Sequence, residues 1–232
     1  YRIAFEIRLF FHINGNDRNA NSFPIKQMPE DDIIKEKIMA HCHERFLKEG
    51  FAKITVDEIA GELGMSKKTF YKFFTGKEDV VHQIMERIMG GVRTNIERIM
   101  QSDKSAVEKH SEIITMLATN TSRLMPAFGQ DIKKRMPQFW KRIEDFRRER
   151  ISDVFNRLIT QGVSEGTMRP EMNKRVFLMC VVSAIDGIMQ PHILANESFS
   201  VSDAIREILS VFFVGALTQQ GRIQFEQLHL AE

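Results

Sequence analysis

Between Met65 and Lys77 the chain carries four lysines and no acid: Lys67, Lys68, Lys72 and Lys77, with Tyr71 set among them. Residues of these types at this spacing form no catalytic set. What they can do is hold anions, because ammonium groups pair with phosphate oxygens and long polar side chains reach base edges. Elsewhere the usual marks of bond-making chemistry are missing: no Gly-rich phosphate loop follows a strand, and neither GxSxG nor HExxH occurs. His41 and His43 stand two apart and do not share a helix face, while His110 and His192 are isolated. No catalytic residue, metal site or cofactor is therefore expected.

The lysines need elements to aim them, and the flanking residues specify two short helices. Thr55 with Glu58 three positions on, TVDE, is a capping box that starts a helix. Asp57 and Glu58 also put negative charge in its first turn, where the helix dipole favours it. Val56, Ile59, Ala60 and Leu63 recur at helical spacing and make one apolar face. Gly64 ends this helix and Ser66 caps the next, whose inward residues are Phe70, Phe73 and Phe74. Ala60 is small where two helices must cross closely. Lys67, Lys68, Tyr71 and Lys72 remain on the outer face. This is the layout of a helix-turn-helix, whose second helix lies in the major groove of DNA.

The series Thr55, Ile59, Ala60, Leu63, Gly64, Ser66, Lys67, Thr69, Phe70, Tyr71, Phe73 and Lys77 resembles the DNA-binding domain of TetR-type regulators over roughly residues 33–80. It departs from the usual pattern at Lys72 and Phe73, where Tyr or Arg and His are frequent. The resemblance implies an all-α fold, with an N-terminal three-helix DNA-binding domain and a C-terminal helical domain for ligand binding and dimerisation. By correspondence of position, Lys67 and Lys68 would meet bases or nearby phosphates. Tyr71 would pack on the sugar-phosphate backbone and a base edge. Thr55, Thr69 and Lys77 would hold phosphates, Lys72 would add one more contact, and Ser66 would stand at the capped start of the reading helix. The implied partners are a palindromic double-stranded operator, a small apolar effector and a second copy of the chain.

The whole chain is consistent with that picture. Its 232 residues suffice for one large or two modest domains, and 43% hydrophobic with 28% charged residues is ordinary for a globular protein. Thirteen Met and 18 Phe against one Trp and two Tyr make a soft, adaptable interior. A net charge of +2 conceals the local basic stretch, since acids at Glu30, Asp31 and Asp32 open the preceding helix. Cys42 and Cys180 lie far apart in apolar helical patterns, and both are expected to be buried, inert thiols in a reducing cytoplasm. No apolar run reaches membrane-spanning length.

Four regions are expected. Residues 1–29 read as an extension that is disordered or foreign to the natural chain. Their alternation of apolar residues has a strand period without a partner, and Met28 is the expected natural start. The other reading makes them an arm whose Arg2, Arg8 or Arg18 touches DNA. Residues 30–77 form the DNA-binding domain, 78–100 a connecting helix, and 101–232 the ligand-binding and dimerisation domain. Gly90-Gly91 falls inside the connecting helix and marks close packing, a mild bend or a hinge.

In the C-terminal region the patterns predict helices over about 106–124, 128–135, 137–165, 171–193 and 201–219, the last ended by Gly221. The 171–193 helix is apolar enough to expect burial, and the resemblance implies that the last two long helices form the homodimer interface. Residues 133–150 hold eight basic and three acidic side chains, read as the solvated face of a long helix or as a second nucleic-acid surface. Asp186 lies within an apolar run and needs a partner, either a ligand or another helix. Spacing and the resemblance together group Met116, Phe128, Phe139, Trp140, Phe155, Met179, Ser183 and Asp186 as a pocket wall. The competing function is a helical small-molecule-binding protein or enzyme whose N-terminal domain mediates protein contacts.

Overall fold

A computed structural model describes residues 29–121, 126–194 and 196–229. The expectations for residues 1–28 therefore lie outside the described residues. The helices are α1 (Glu30–Glu49), α2 (Val56–Glu62), α3 (Lys67–Phe73), α4 (Lys77–Met100), α5 (Ala106–Thr121), α6 (Pro126–Arg135), α7 (Pro137–Ser164), α8 (Lys174–Ile188), α9 (Pro191–Leu194), α10 (Val201–Ala216) and α11 (Gln219–His229). Among the described residues the β contact found is an isolated bridge between Met168 and Leu217. Contacts divide the chain into two units: Tyr1–Asn95 with Met125–Trp140, and Ile96–Leu124 with Lys141–Glu232.

The core of the first unit is aromatic. Phe46, Phe51 and Phe128 meet with ring centres 5.9–6.3 Å apart, and all three are buried. Phe70 and Phe74 add a second pair at 5.6 Å, and Ile38, Ile59 and Ile84 close the space between helices. Arg87 on α4 holds Glu36 on α1 through two hydrogen bonds of 2.5 and 2.6 Å, a bidentate pair that fixes those helices in register. α4 runs unbroken through Gly90 and Gly91. Cys42 is buried here, and desolvation pushes its thiol up to about 12.

The second unit corrects several expectations. The 171–193 segment is not one buried helix. Pro170 stands in a turn, Asn173 caps α8 by accepting the Val176 N–H, and Pro191 starts a separate turn of helix. On α8 only Val181 and Ile185 are buried, whereas Val176 is 55% and Met179 61% exposed, and Cys180 is exposed too. The residues are apolar on two faces, and this chain covers only one of them.

Gly221 does not end the last helix but lies inside α11. A Cβ there would come 2.2 Å from the Thr167 carbonyl, so glycine is what lets α11 approach the 167–168 strand-like link. His110 of α5 stacks on Phe213 of α10 with ring centres 3.5 Å apart, and Phe155 packs on Phe177 at 5.6 Å.

Candidate nucleic-acid interface

The helix-turn-helix is built by caps. Thr55 accepts the Glu58 N–H at 3.2 Å, while the Glu58 carboxylate takes the Thr55 N–H at 2.7 Å, so the capping box is complete. Those hydrogen bonds hold the Glu58 carboxyl below the usual carboxylate range. At the far end Gly64 adopts φ 63°, and the N–H groups of Met65 and Gly64 return to Ala60 and Gly61. This pairing satisfies the last carbonyls of α2 and reverses the chain. Ser66 then accepts the Thr69 N–H at 3.0 Å and starts α3. Ile59, Ala60 and Phe70 are buried between the two helices.

With its inner side fixed by Phe70, α3 presents Lys67, Lys68, Tyr71 and Lys72 outward, and Tyr71 is 54% exposed. The lysines differ in what they touch. Lys67 pairs with Asp57 at 2.5 Å, and Lys72 pairs with Asp31 at 2.5 Å while lying 5.3 Å from the centre of the Phe73 ring. Both pairs are exposed, and such pairs contribute about 0–1 kcal/mol, so phosphate can replace the carboxylate at little cost. Lys68 has no hydrogen bond or ion pair among the described residues. The Thr69 hydroxyl bonds Ser66 at 2.9 Å, and the Thr55 hydroxyl donates to Glu58 at 2.8 Å.

Lys77 differs from its sequence reading as a phosphate holder. Its ammonium points into the protein and donates to the carbonyls of Phe51, Ala52 and Ile54 at 2.9, 3.1 and 3.0 Å. An ammonium has three donors, and all are used. Spacing placed Lys77 at a helix start but could not show that three unpaired carbonyls lie within its reach.

The pocket residues grouped from the sequence fall in both units. Phe128, Phe139 and Trp140 belong to the first, where Phe128 packs on Phe46 and Phe51 and Phe139 stacks on His82 at 4.4 Å. In the second unit Met116 is half-buried and Phe155 buried, but Met179 and Ser183 sit on the exposed side of α8. Asp186 is held by Arg147 at 2.7 Å and Arg148 at 2.5 Å, both from α7. Burial pushes its carboxyl upward, and the hydrogen bonds and charges of the two arginines more than reverse that, leaving it below the ordinary aspartate value. The apolar run therefore contains an interhelical ion cluster, the second of the two partners weighed for Asp186.

The family model described as bacterial regulatory proteins, tetR family, matches residues 38–84, which contain α2, α3 and the start of α4. Among curated relatives, the HTH-type transcriptional regulator YvaF of Bacillus subtilis (strain 168) is 22% identical over 184 residues, 78% of this chain and 95% of that protein. The fatty acid metabolism regulator protein of the same organism is 18% identical over 172 residues, 72% of this chain and 88% of the relative. A solved transcriptional regulator from Cytophaga hutchinsonii shares the fold with a TM-score of 0.61 at 19% identity, across 79% of this chain and 98% of that one.

Proposed function

We propose, from the match of residues 38–84 to the tetR family of bacterial regulatory proteins, a homodimeric repressor that a small apolar effector releases from a palindromic operator. One observation carries the DNA-binding part. A capped helix, Lys67–Phe73, is held on its inner side by the fully buried Phe70 and turns Lys67, Lys68, Tyr71 and Lys72 outward with no acid on the helix itself. Lys67 and Lys72 exchange Asp57 and Asp31 for phosphate, Lys68 and Tyr71 reach base edges, and Thr55 and Thr69 stand at the capped helix starts beside the backbone. None of these roles makes or breaks a bond.

One such helix reads few base pairs, so a second copy must supply another about 34–36 Å away. The face for that copy is the uncovered side of α8 and α10. Val176, Met179, Cys180, Ser183 and Gly187 form a stripe at helical spacing on α8, and Val211 and Gly215 are exposed on α10. A Cβ on Gly187 or Gly215 would meet nothing within 4 Å among the described residues. Each glycine costs its helix about 1 kcal/mol relative to alanine, so close approach by a partner helix gives both a reason to be there.

For the effector, the relative named for fatty acid metabolism and the interior at the buried Phe155 and Phe213 both favour an acyl chain or similar apolar compound. Met116 and Phe155 are the grouped residues suited to line such a site, since Asp186 is taken by arginines.

The test is to select duplexes from a random-sequence pool with the full chain and measure binding across a salt series. A steep fall in affinity with salt, and release by long-chain acyl compounds, are expected. No binding at low salt would instead favour a domain that contacts proteins.

A further inference from the structure

Residues 50–54, between α1 and α2, have no regular structure of their own, so their backbone groups need outside partners. Two charged side chains supply them. Asp131, on α6, accepts the Ala52 N–H at 2.8 Å. Lys77, at the start of α4, donates to the carbonyls of Phe51, Ala52 and Ile54, and its ammonium lies 5.9 Å from the centre of the Phe51 ring. One loop is thus held on its donor side by an acid and on its acceptor side by a base. Asp131 lies 79 residues from Ala52 in the chain, and Lys77 lies 25.

The loop is shaped to receive them. Gly50 has φ +77°, and a Cβ there would come 2.5 Å from the Asp131 carboxylate oxygen. Phe128, one turn before Asp131, packs against Phe46 and Phe51, so α6 meets the loop through apolar and polar contacts together. Directly after the loop comes Thr55, the cap on which α2 begins.

Resting on the reading that α3 carries the operator contacts, we propose that Asp131 and Lys77 are positioning residues for DNA recognition. They clamp the 50–54 loop, and the loop sets the direction in which α2, and α3 packed on it, leave α1. Lys77 then acts through the loop and not at a phosphate, and α6 gains control of the reading helix through the Asp131 hydrogen bond and the Phe128 ring contacts.

The test uses the full chain with Asp131→Ala, Asp131→Asn and Lys77→Met, at a temperature where circular dichroism shows each folded. Amide hydrogen exchange over residues 51–63 is measured without DNA. Affinity for a duplex selected by the unaltered protein is measured across a salt series. Asp131→Ala and Lys77→Met should speed exchange in that segment and weaken binding about ten-fold or more, the scale of a lost charged hydrogen bond. The salt slope should not change. Asp131→Asn keeps an acceptor and should match the unaltered protein in both measurements.

A Lys77→Met slope lower by about 1 per subunit with unchanged exchange would make Lys77 a phosphate contact and overturn the proposal. Unchanged exchange and affinity in Asp131→Ala, or Asn failing as Ala does, would also overturn it. If Lys77→Met does not fold, the Asp131 pair decides. If the unaltered protein selects no duplex, the reading of α3 fails, and the exchange data alone still decide whether the clamp exists.

Discussion

The four lysines that look equivalent in the sequence of α3 and the start of α4 occupy three different environments in the structure. Lys67 and Lys72 rest on exposed carboxylates, Lys77 is bound to three carbonyls, and Lys68 is without a protein partner among the described residues. A contact to DNA by Lys68 therefore displaces only water, whereas Lys67 and Lys72 must first leave Asp57 and Asp31. Lys68→Ala should cost the largest share of operator affinity, about 1–3 kcal/mol, if the ammonium reads a base. It should also relax selectivity at one position of each half-site, while Lys67→Ala and Lys72→Ala weaken all sequences by less. Competition between the selected duplex and singly substituted duplexes separates these outcomes. Equal, sequence-independent losses for all three would reduce Lys68 to another phosphate contact.

At the scale of elements, α7 and α8 are joined by the Asp186 cluster with Arg147 and Arg148. Because the folded carboxyl sits below its unfolded value of about 3.9, the cluster stabilises the fold at every pH above that value. That contribution is lost as pH falls through the lower folded value. Asp186→Asn should lower the stability of the second unit by roughly 2 kcal/mol at neutral pH, the scale of a charged hydrogen bond to a half-buried group. The difference from the unaltered protein should shrink as pH falls below about 4 and close only as the folded carboxyl itself takes up its proton, at its lower folded value. Urea unfolding at several pH values would check this, and a pH-independent difference would remove the ion cluster as its cause. The partner of Asp186 was only half legible from sequence: a carboxylate in an apolar run demands one, but spacing cannot say which helix brings it. The helix-turn-helix was legible because its signals are local. Thr55 and Glu58, Gly64, and Ser66 with Thr69 each act within five residues. The pocket group was not, because helical spacing assigns a residue to a face and is silent on what that face meets. So Met179 emerged exposed and Phe128 in the first unit. Gly221 misled for a related reason, since a glycine needed for close approach to Thr167 reads like a helix terminator.

The molecule as a whole is where the exposure of α8 acquires its meaning. Within one chain Val176 and Met179 lie open to water, and Gly187 and Gly215 weaken their helices without admitting any neighbour among the described residues. A two-fold partner removes both anomalies at once, because isologous packing brings the same stripe of each copy together and small residues allow the helices to approach. Gly187→Leu discriminates sharply, since in an isolated chain it should not destabilise: the site is empty, and leucine favours helix by close to 1 kcal/mol over glycine. Its cost should appear only in assembly. Light scattering should show a shift from dimer towards monomer, with operator affinity falling in parallel because two half-sites are no longer held together. Cys180 lies on the same stripe, so a maleimide should label it faster in Gly187→Leu than in the unaltered dimer. Cys42 supplies the internal reference, because burial keeps its thiol protonated and unreactive in both. A variant that stayed dimeric, bound operator normally and left Cys180 equally reactive would move the interface to another face of the second unit.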